Sequence, residues 1–490
     1  MALRIAVFGS GAVLMALEIL AFRIIGKTFG TALRETTAVI TVFLTSMSLG
    51  YYLGGKAGDR WPVPRTLVLP MAIAGLSILL IPGLDTLIAE PVFDSSLPLS
   101  LHALTVSVAL FVVPSLLMAS VSPIAIRLLA QTVQQTGKIA GSVSALSTIG
   151  SILGTVLMGF YLIDAVGSVR RLVYVLGGVM ILLSLIAAAG VRRKLTIATG
   201  LALVLLPAAG ASAAVVFERD SSYHHIVVRD EDGMRTLYFD NAPQSRMEIK
   251  DPIAGAFEYT DFLHAAFLFR PQLQDVLMLG LGGGSVPKRF LADYPQVRMD
   301  VVDVDPVVID VAKRYFAVKP GPRLNLIHQD ARAYVKRCKK KYDYILLDAY
   351  TRSRYGSSIP PHLTTREFFQ QVSAILKPGG MVGYNVTATV SQYKPGILQA
   401  LLKTMQTEFS TPYLFEAESS WNTVILAFKG EHRPLSKEAL GRRAKELVAA
   451  GTVKLPYFEH RMRRTVPVPD VKAAILLTDD HAPVERLMRD

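Results

Sequence analysis

Apolar residues run in long blocks through the first part of the chain and in short alternating stretches after it, and the pattern changes near residue 217. Blocks at 5–26, 36–55, 67–89, 101–126, 140–163, 171–190 and 195–216 each approach the roughly 20 residues that cross a bilayer as a helix. The pattern predicts a multi-pass α-helical membrane domain over residues 1–216 with seven spans. The first block is too long, and too weakly followed by a cleavage site, to be simply a removable signal peptide. The last contains Pro207 and ends in the small-residue run 208–214, so a re-entrant or interfacial course is the alternative to a crossing. Gly141, Gly150, Gly154 and Gly159 in the fifth block have the spacing that lets helices approach closely, although glycine is also simply tolerated in membrane helices.

After Phe217 the pattern becomes strands, polar turns and amphipathic helices. Residues 223–228 and 235–239 flank the turn Asp230-Glu231-Asp232-Gly233 and predict a β-hairpin. Residues 217–265 are therefore expected to form a small β-domain and a substrate-side helix. Short apolar runs at Asp275 to Leu279, Arg298 to Val302, Leu324 to Ile327 and Tyr342 to Leu347, spaced by helical segments, are the βαβ signature of a parallel sheet. Residues 266–490 are thus expected to be an α/β Rossmann-like nucleotide-binding domain, with Pro378-Gly379-Gly380 ending a helix before a further strand.

Composition sharpens this division. Of 490 residues, 51% are hydrophobic and 19% charged, and the mean hydropathy is +0.38; an ordinary soluble protein is less apolar. Residues 1–216 carry 14 Lys/Arg and 7 Asp/Glu, against 38 and 32 in the remainder. The isoelectric point near 9.6 does not point to nucleic acid, because the basic residues of the first part sit in clusters between apolar blocks. With the N-terminus in the cytoplasm, that side holds Arg4, Lys56, Arg60, Arg65, Arg127, Lys138, Arg192, Arg193 and Lys194, and the other holds Lys27, Arg34, Arg170 and Arg171. The bias favours this orientation, yet seven spans would then leave residues 217–490 outside. A nucleotide-using domain is expected in the cytoplasm, which requires the last block not to cross. A single cysteine, Cys338, excludes an intramolecular disulfide and a Cys-rich metal site.

The sharpest motif is Val276-Leu277-Met278-Leu279-Gly280-Leu281-Gly282-Gly283-Gly284-Ser285, a strand entering a glycine-rich turn before a helix. Gly280, Gly282 and Gly284 allow a nucleotide close approach to backbone. Asp303 follows about 20 residues later at the end of the next strand, where a carboxylate can accept hydrogen bonds from both ribose hydroxyls. Asp330 and Ala331 follow the third strand at the position where S-adenosylmethionine folds of this class read the adenine. Asp348 ends the fourth strand and faces the same carboxyl-end crevice. For all three acids the plain alternative is a capping or loop carboxylate.

Several segments together resemble the spermidine synthase family of aminopropyltransferases, in the branch fused to an N-terminal transmembrane domain. They include Ser10-Gly11 through Glu18, Gly30, and 150–154 in the membrane part. In the soluble part they are Phe239-Asp240-Asn241-Ala242-Pro243-Gln244, 257–264, 360–369 and 477–484. The resemblance implies transfer of an aminopropyl group from decarboxylated S-adenosylmethionine to a diamine such as putrescine, with release of methylthioadenosine. No prosthetic group or metal is implied; the sulfonium nucleotide is a co-substrate. Carried over by position, Gln244 and Tyr259 line the nucleotide and amine sites, Gly280 to Gly284 form the nucleotide turn, Asp303 takes the ribose and Asp330 the adenine. Family members also form homodimers.

Two positions depart from the family pattern. The family's glycine turn carries an aspartate where this chain has Gly283, a position implied to contact the aminopropyl nitrogen. Its fourth-strand motif has a second aspartate where this chain has Thr351, a poor proton acceptor. Asp348, Asp261, Asp479 and, beside them, Glu258 and Asp480 are therefore the candidates for taking the amine proton. A methyltransferase or sulfonium-cleaving enzyme on the same fold stays open, as does a polyamine transporter or sensor whose soluble part only binds. Glu18, an ionisable group inside an apolar block, is either functional or held by a neighbour such as Arg23. His224 and His225 are successive on a strand, face opposite ways and form no metal site from that strand alone. The basic run 336–341 is a solvated helix end or touches anionic lipid.

Overall fold

The computed structural model describes residues 1–29, 33–93, 95, 97–130, 132–189, 215–253, 257–353, 356–388, 396–418 and 420–488. Two compact units emerge: Met1–Ala211 with Arg219–His225, and Ser212–Glu218 with Ile226–Asp490.

The first unit contains α1 (Ala2–Phe29), α2 (Leu33–Arg60), α3 (Arg65–Phe93) and α4 (Leu99–Leu129). α5 (Val133–Leu157) passes through a π-turn, Met158–Leu162, into α6 (Ile163–Val166), and α7 (Val169–Ala189) follows. Among the described residues six helical stretches are long and apolar enough to cross a membrane, the fifth being Val133–Val166. The seventh expected block, 195–216, lies outside the described residues except for Val215 and Val216, which open a strand. Gly30 also lies outside them.

Small residues set the helix spacing. A Cβ on Gly150 would stand 2.1 Å from the Phe8 carbonyl oxygen, and one on Gly154 2.1 Å from that of Ala12. Gly141 and Gly159 have nothing within 4 Å of that position, so two of the four glycines carry the α1–α5 contact. The sequence offset between Gly150 and Gly154 matches that between Phe8 and Ala12, so α1 and α5 run parallel.

The second unit opens with a four-stranded sheet, in the order β1 (Val215–Asp220), β2 (His225–Glu231), β3 (Met234–Phe239) and β4 (Ala242–Glu248). Asp232 and Gly233 join β2 to β3 with φ of 49° and 75°, the left-handed pair that matches strand twist in a two-residue hairpin. Two short helices, α8 (Tyr259–Phe262) and α9 (Ala266–Phe269), lead into the alternating region. There β5 (Asp275–Leu279), β6 (Arg298–Asp303), β7 (Leu324–His328) and β8 (Tyr342–Leu347) are parallel. The intervening helices are α10 (Ser285–Asp293), α11 (Pro306–Tyr315) and α12 (Ala331–Arg337).

A short hairpin, β9 (Thr351–Ser353) and β10 (Gly356–Ser358), precedes α13 (Arg366–Ala374) and β11 (Leu376–Val386). After α14 (Ile397–Met405) come β12 (Ser410–Glu416), β13 (Thr423–Phe428) and β14 (Thr465–Val466). The large sheet runs β14-β12-β13-β11-β8-β5-β6-β7, with β13 antiparallel to β11. Every residue of β5 and β8 is buried, as expected for strands with helices on both faces. The Pro378-Gly379-Gly380 segment does not stand between helix and strand but lies inside β11. A register shift against β8 between Leu376 and Met381 accommodates the missing amide of Pro378 and the left-handed Gly379.

Gly154→Leu is expected to destabilise the first unit by about 1–3 kcal/mol through forced separation of α1 and α5. Gly159→Leu, where space is open, is expected to be near neutral; thermal unfolding of the detergent-purified protein compares the two.

Candidate active site

The strand order reverses at β5, with β6 on one side and β8 on the other, and such a switch point opens a crevice at the carboxyl ends of the strands. The β5–α10 turn lines it. Gly280, Gly282 and Gly284 have φ of 96°, 52° and 67°, so each needs the left-handed region. At Gly280 a Cβ would also stand 2.2 Å from the Asp348 carbonyl oxygen. The turn is pinned from two sides. Asp303 Oδ2 accepts from the Leu281 amide at 2.9 Å and its Oδ1 from the Asp305 amide at 2.9 Å. Ser245 Oγ, from β4, accepts from the Gly283 amide at 2.8 Å.

That serine accounts for the glycine at 283. A Cβ there would meet Ser245 Cβ at 2.7 Å and Phe316 Cδ1 at 3.0 Å. No side chain, and hence no carboxylate, fits at this position while Ser245 occupies it.

Asp348 follows β8. Its Oδ1 accepts from Asn385 Nδ2 at 2.8 Å and its Oδ2 from the Tyr259 hydroxyl at 3.2 Å. The Asn385 side-chain oxygen in turn accepts from Asn422 Nδ2 at 2.9 Å, and its carbonyl accepts from the Tyr350 hydroxyl at 2.6 Å. Part of the Asp348 residue surface reaches the crevice, but protein surrounds the carboxyl closely. Burial pushes its pKa above the usual carboxylate range, and the Asn385 and Tyr259 hydrogen bonds oppose that rise. The Tyr259 hydroxyl is pushed well above its ordinary value by burial and by the Asp348 charge, so it remains a donor.

The other predicted residues fall into different settings. Asp330 caps α12 through a 2.8 Å bond from the Ala333 amide and approaches His362 Nε2 at 3.3 Å; Ala331 is buried behind it. Gln244 lies on β4, its Nε2 3.3 Å from the Ala242 carbonyl. Asp261 accepts from Arg461 Nε at 3.2 Å, and Glu258 takes both Arg461 and Arg464. Burial raises the Asp261 pKa against the pull of Arg461.

Both oxygens of Asp479 are held by Arg332 at 2.7 Å, and Thr365 Oγ1 donates to Oδ1 at 2.7 Å. The Arg332 hydrogen bonds hold its pKa below the usual range. The structure therefore joins Asp348, Tyr259 and the glycine turn, while Asp261 and Asp479 are each engaged by an arginine. His225 Nδ1 pairs with Asp220 Oδ1 at 2.8 Å, and Lys340 of the basic run pairs with Asp300 at 2.8 Å, so that run is not wholly solvated.

Sequence reasoning missed Asn385 and Ser245. Asn385 did leave a signal, one polar side chain in the apolar strand Met381–Val386, because a buried amide needs a partner.

The parallel sheet, the left-handed glycine turn and the acids at the ends of β6 and β8 make up a Rossmann-like α/β unit. A family model described as spermine/spermidine synthase domain matches residues 256–423. A polyamine aminopropyltransferase of Vibrio vulnificus is 32% identical over 293 residues, covering 57% of this chain and 94% of the relative. One from Chromobacterium violaceum is 27% identical over 243 residues, covering 49% and 90%. An N-terminal histidine N-methyltransferase of Emericella nidulans is 28% identical over 253 residues, covering 46% and 43%. The chain belongs to the spermidine synthase family of polyamine aminopropyltransferases, and it is a transferase.

Gly283→Asp is expected to destabilise the second unit by about 1–3 kcal/mol, the usual cost of overpacking. The double variant with Ser245→Gly is expected to recover most of that loss in a thermal-shift measurement.

Proposed function

We propose that the protein is a membrane-bound aminopropyltransferase that moves an aminopropyl group from decarboxylated S-adenosylmethionine to a diamine of the putrescine type. The observation that carries this reading is the Asp348 carboxylate, on a residue whose backbone abuts Gly280 of the glycine turn. Among the described residues its hydrogen-bond partners are two neutral donors, Tyr259 and Asn385, so its charge is available to a cationic amine. In this reading Asp303 receives the ribose and Asp330 the adenine edge, with Gln244 and Ala331 as further nucleotide contacts. Thr351 begins β9 just beyond Asp348 and supplies no second carboxylate.

In the reaction Asp348 takes a proton from the acceptor ammonium and frees its lone pair. The amine nitrogen then bonds to the terminal aminopropyl carbon next to sulfur. The C–S bond breaks with its electron pair going to the sulfonium, which leaves as the neutral thioether methylthioadenosine. The sulfonium already activates the carbon, so the protein supplies proximity and proton removal. Asp261 and Asp479 are assigned to holding Arg461 and Arg332 rather than to proton transfer. The six apolar helices support a bilayer anchor, with the catalytic unit working in the cytoplasm, where the nucleotide is expected.

One observation favours a second reading. Because Ser245 excludes a carboxylate at Gly283, a nucleotide that keeps its own carboxylate would not be repelled there, as methyl transfer from S-adenosylmethionine requires. Co-products separate the two. Methylthioadenosine formed only from decarboxylated nucleotide plus putrescine supports aminopropyl transfer, whereas S-adenosylhomocysteine supports methyl transfer and defeats it.

The pH profile tests the base. Asp348 acts when ionised, and its pKa is raised, so the rate should climb with pH through an acid limb above that of an exposed carboxylate. Asn385→Ala removes a donor that favours the ionised form and is expected to move the limb further up; an unmoved limb would remove Asp348 from the role.

A further inference from the structure

The C-terminal segment 477–488 packs back onto the second unit and is anchored on both sides of a tight turn. Leu477 is fully buried, and Val484 and Leu487 join the same apolar core. The Arg366 amide, at the start of α13, donates to the Leu477 carbonyl at 2.9 Å, and the Leu477 amide donates to Thr404 Oγ1 of α14 at 3.0 Å. Thr478 and His481 close the turn through backbone bonds of 3.1 and 3.0 Å. Asp479 is thus carried on the tip of a strap fixed at both ends, and its own amide donates to Glu367 Oε2 at 3.0 Å.

This tip meets Arg332, the second residue of α12. The two terminal nitrogens of Arg332 donate to the two carboxylate oxygens of Asp479, both at 2.7 Å. Its Nε donates to Gln371 Oε1 of α13, and one terminal nitrogen also donates to the His362 carbonyl, both at 3.3 Å. The Arg332 side chain is 20% exposed and that of Asp479 44%, and a pair this wet adds little stability. What it supplies is direction. A guanidinium is a planar fork, so a carboxylate that grips both tines fixes the plane, and with it the N–H aimed at the His362 carbonyl.

His362 lies in the short turn Pro361–Leu363, and its ring Nε2 donates to Asp330 Oδ2 at 3.3 Å. Asp330 Oδ1 is taken by the Ala333 amide at 2.8 Å, so Oδ2 is the oxygen left for a ligand. A carboxylate oxygen has two lone pairs; His362 takes one, and the other is left to an N–H donor.

We propose that Asp479 is a positioning residue for the nucleotide, acting through Arg332 to set the His362–Asp330 pair that receives the adenine amino group. This rests on the reading above in which Asp330 takes the adenine edge, and it adds the C-terminal strap to that site. Asp479 clamps Arg332, Arg332 holds the His362 backbone, and the His362 ring restricts Asp330 Oδ2 to one direction of approach. An amino group arriving along that direction donates to Oδ2. A carbonyl in its place, as in hypoxanthine, sets oxygen against carboxylate and is rejected.

The test is equilibrium binding of methylthioadenosine and of its deaminated analogue, methylthioinosine, to the full chain in detergent. Wild type is expected to prefer the adenosine form by about 10- to 100-fold, the worth of one hydrogen bond to a charged group. In Asp479→Ala the Kd for methylthioadenosine is expected to rise by most of that factor while the Kd for methylthioinosine changes little, so the preference collapses. Arg332→Lys keeps the positive charge but loses the fork, and it is expected to lose the preference as well. It leaves the strap intact, so it answers the question even if Asp479→Ala does not fold. A preference that persists in the variants overturns the proposal, whether both affinities hold or fall together, because a merely structural role leaves the ratio alone. Wild type that binds both nucleosides equally also overturns it, by removing the adenine from Asp330. Wild type that binds neither defeats the nucleotide reading itself and this proposal with it.

Discussion

The catalytic account depends on one buried negative charge. A carboxylate taken out of water is costly unless donors or a cation compensate it, and Asp348 receives two neutral donors. A paired arginine would make the group more stable and less useful, as Asp479 with Arg332 and Asp261 with Arg461 illustrate. The incomplete compensation raises its pKa, and a base closer to neutrality suits removal of an amine proton. The supporting chain through Asn385 to Asn422 holds the carboxylate in one orientation on rigid strands.

The glycine turn is the second constraint, and it links the four-stranded sheet to the eight-stranded one. β4 supplies Ser245 to the Gly283 amide, β6 supplies Asp303 to the Leu281 amide, and the end of β8 lies against Gly280. A nucleotide seated on this turn would be placed by backbone that three strands hold. The absence of a side chain at 283 follows from the same packing, because Ser245 fills the space that a Cβ there would take.

Much of this was legible in the sequence because it is local. The long apolar helices, the β2–β3 hairpin, the parallel strands and the glycine turn follow from periodicity and from residues with special backbone freedom. The Pro378-Gly379-Gly380 segment was misplaced because a bulge depends on the neighbouring strand as much as on its own residues. Asp479 and Asp261 looked like free acids because Arg332 and Arg461 stand 147 and 200 residues away. Ser245 and Asn385 were missed for the same reason, since each acts on a residue brought near only by the fold. The bonds from Arg219 to the Asp164 carbonyl and from the Val169 amide to Asp220 were likewise invisible.

The central claim is that Asp348 removes the amine proton in aminopropyl transfer. The most direct measurement is single-turnover formation of methylthioadenosine from decarboxylated S-adenosylmethionine and putrescine, in wild type and in Asp348→Asn, with nucleotide binding measured alongside. The account predicts that the variant binds nucleotide but forms product slower by a factor of about 10²–10⁴, the usual contribution of a general base. Wild-type rates in Asp348→Asn would contradict it.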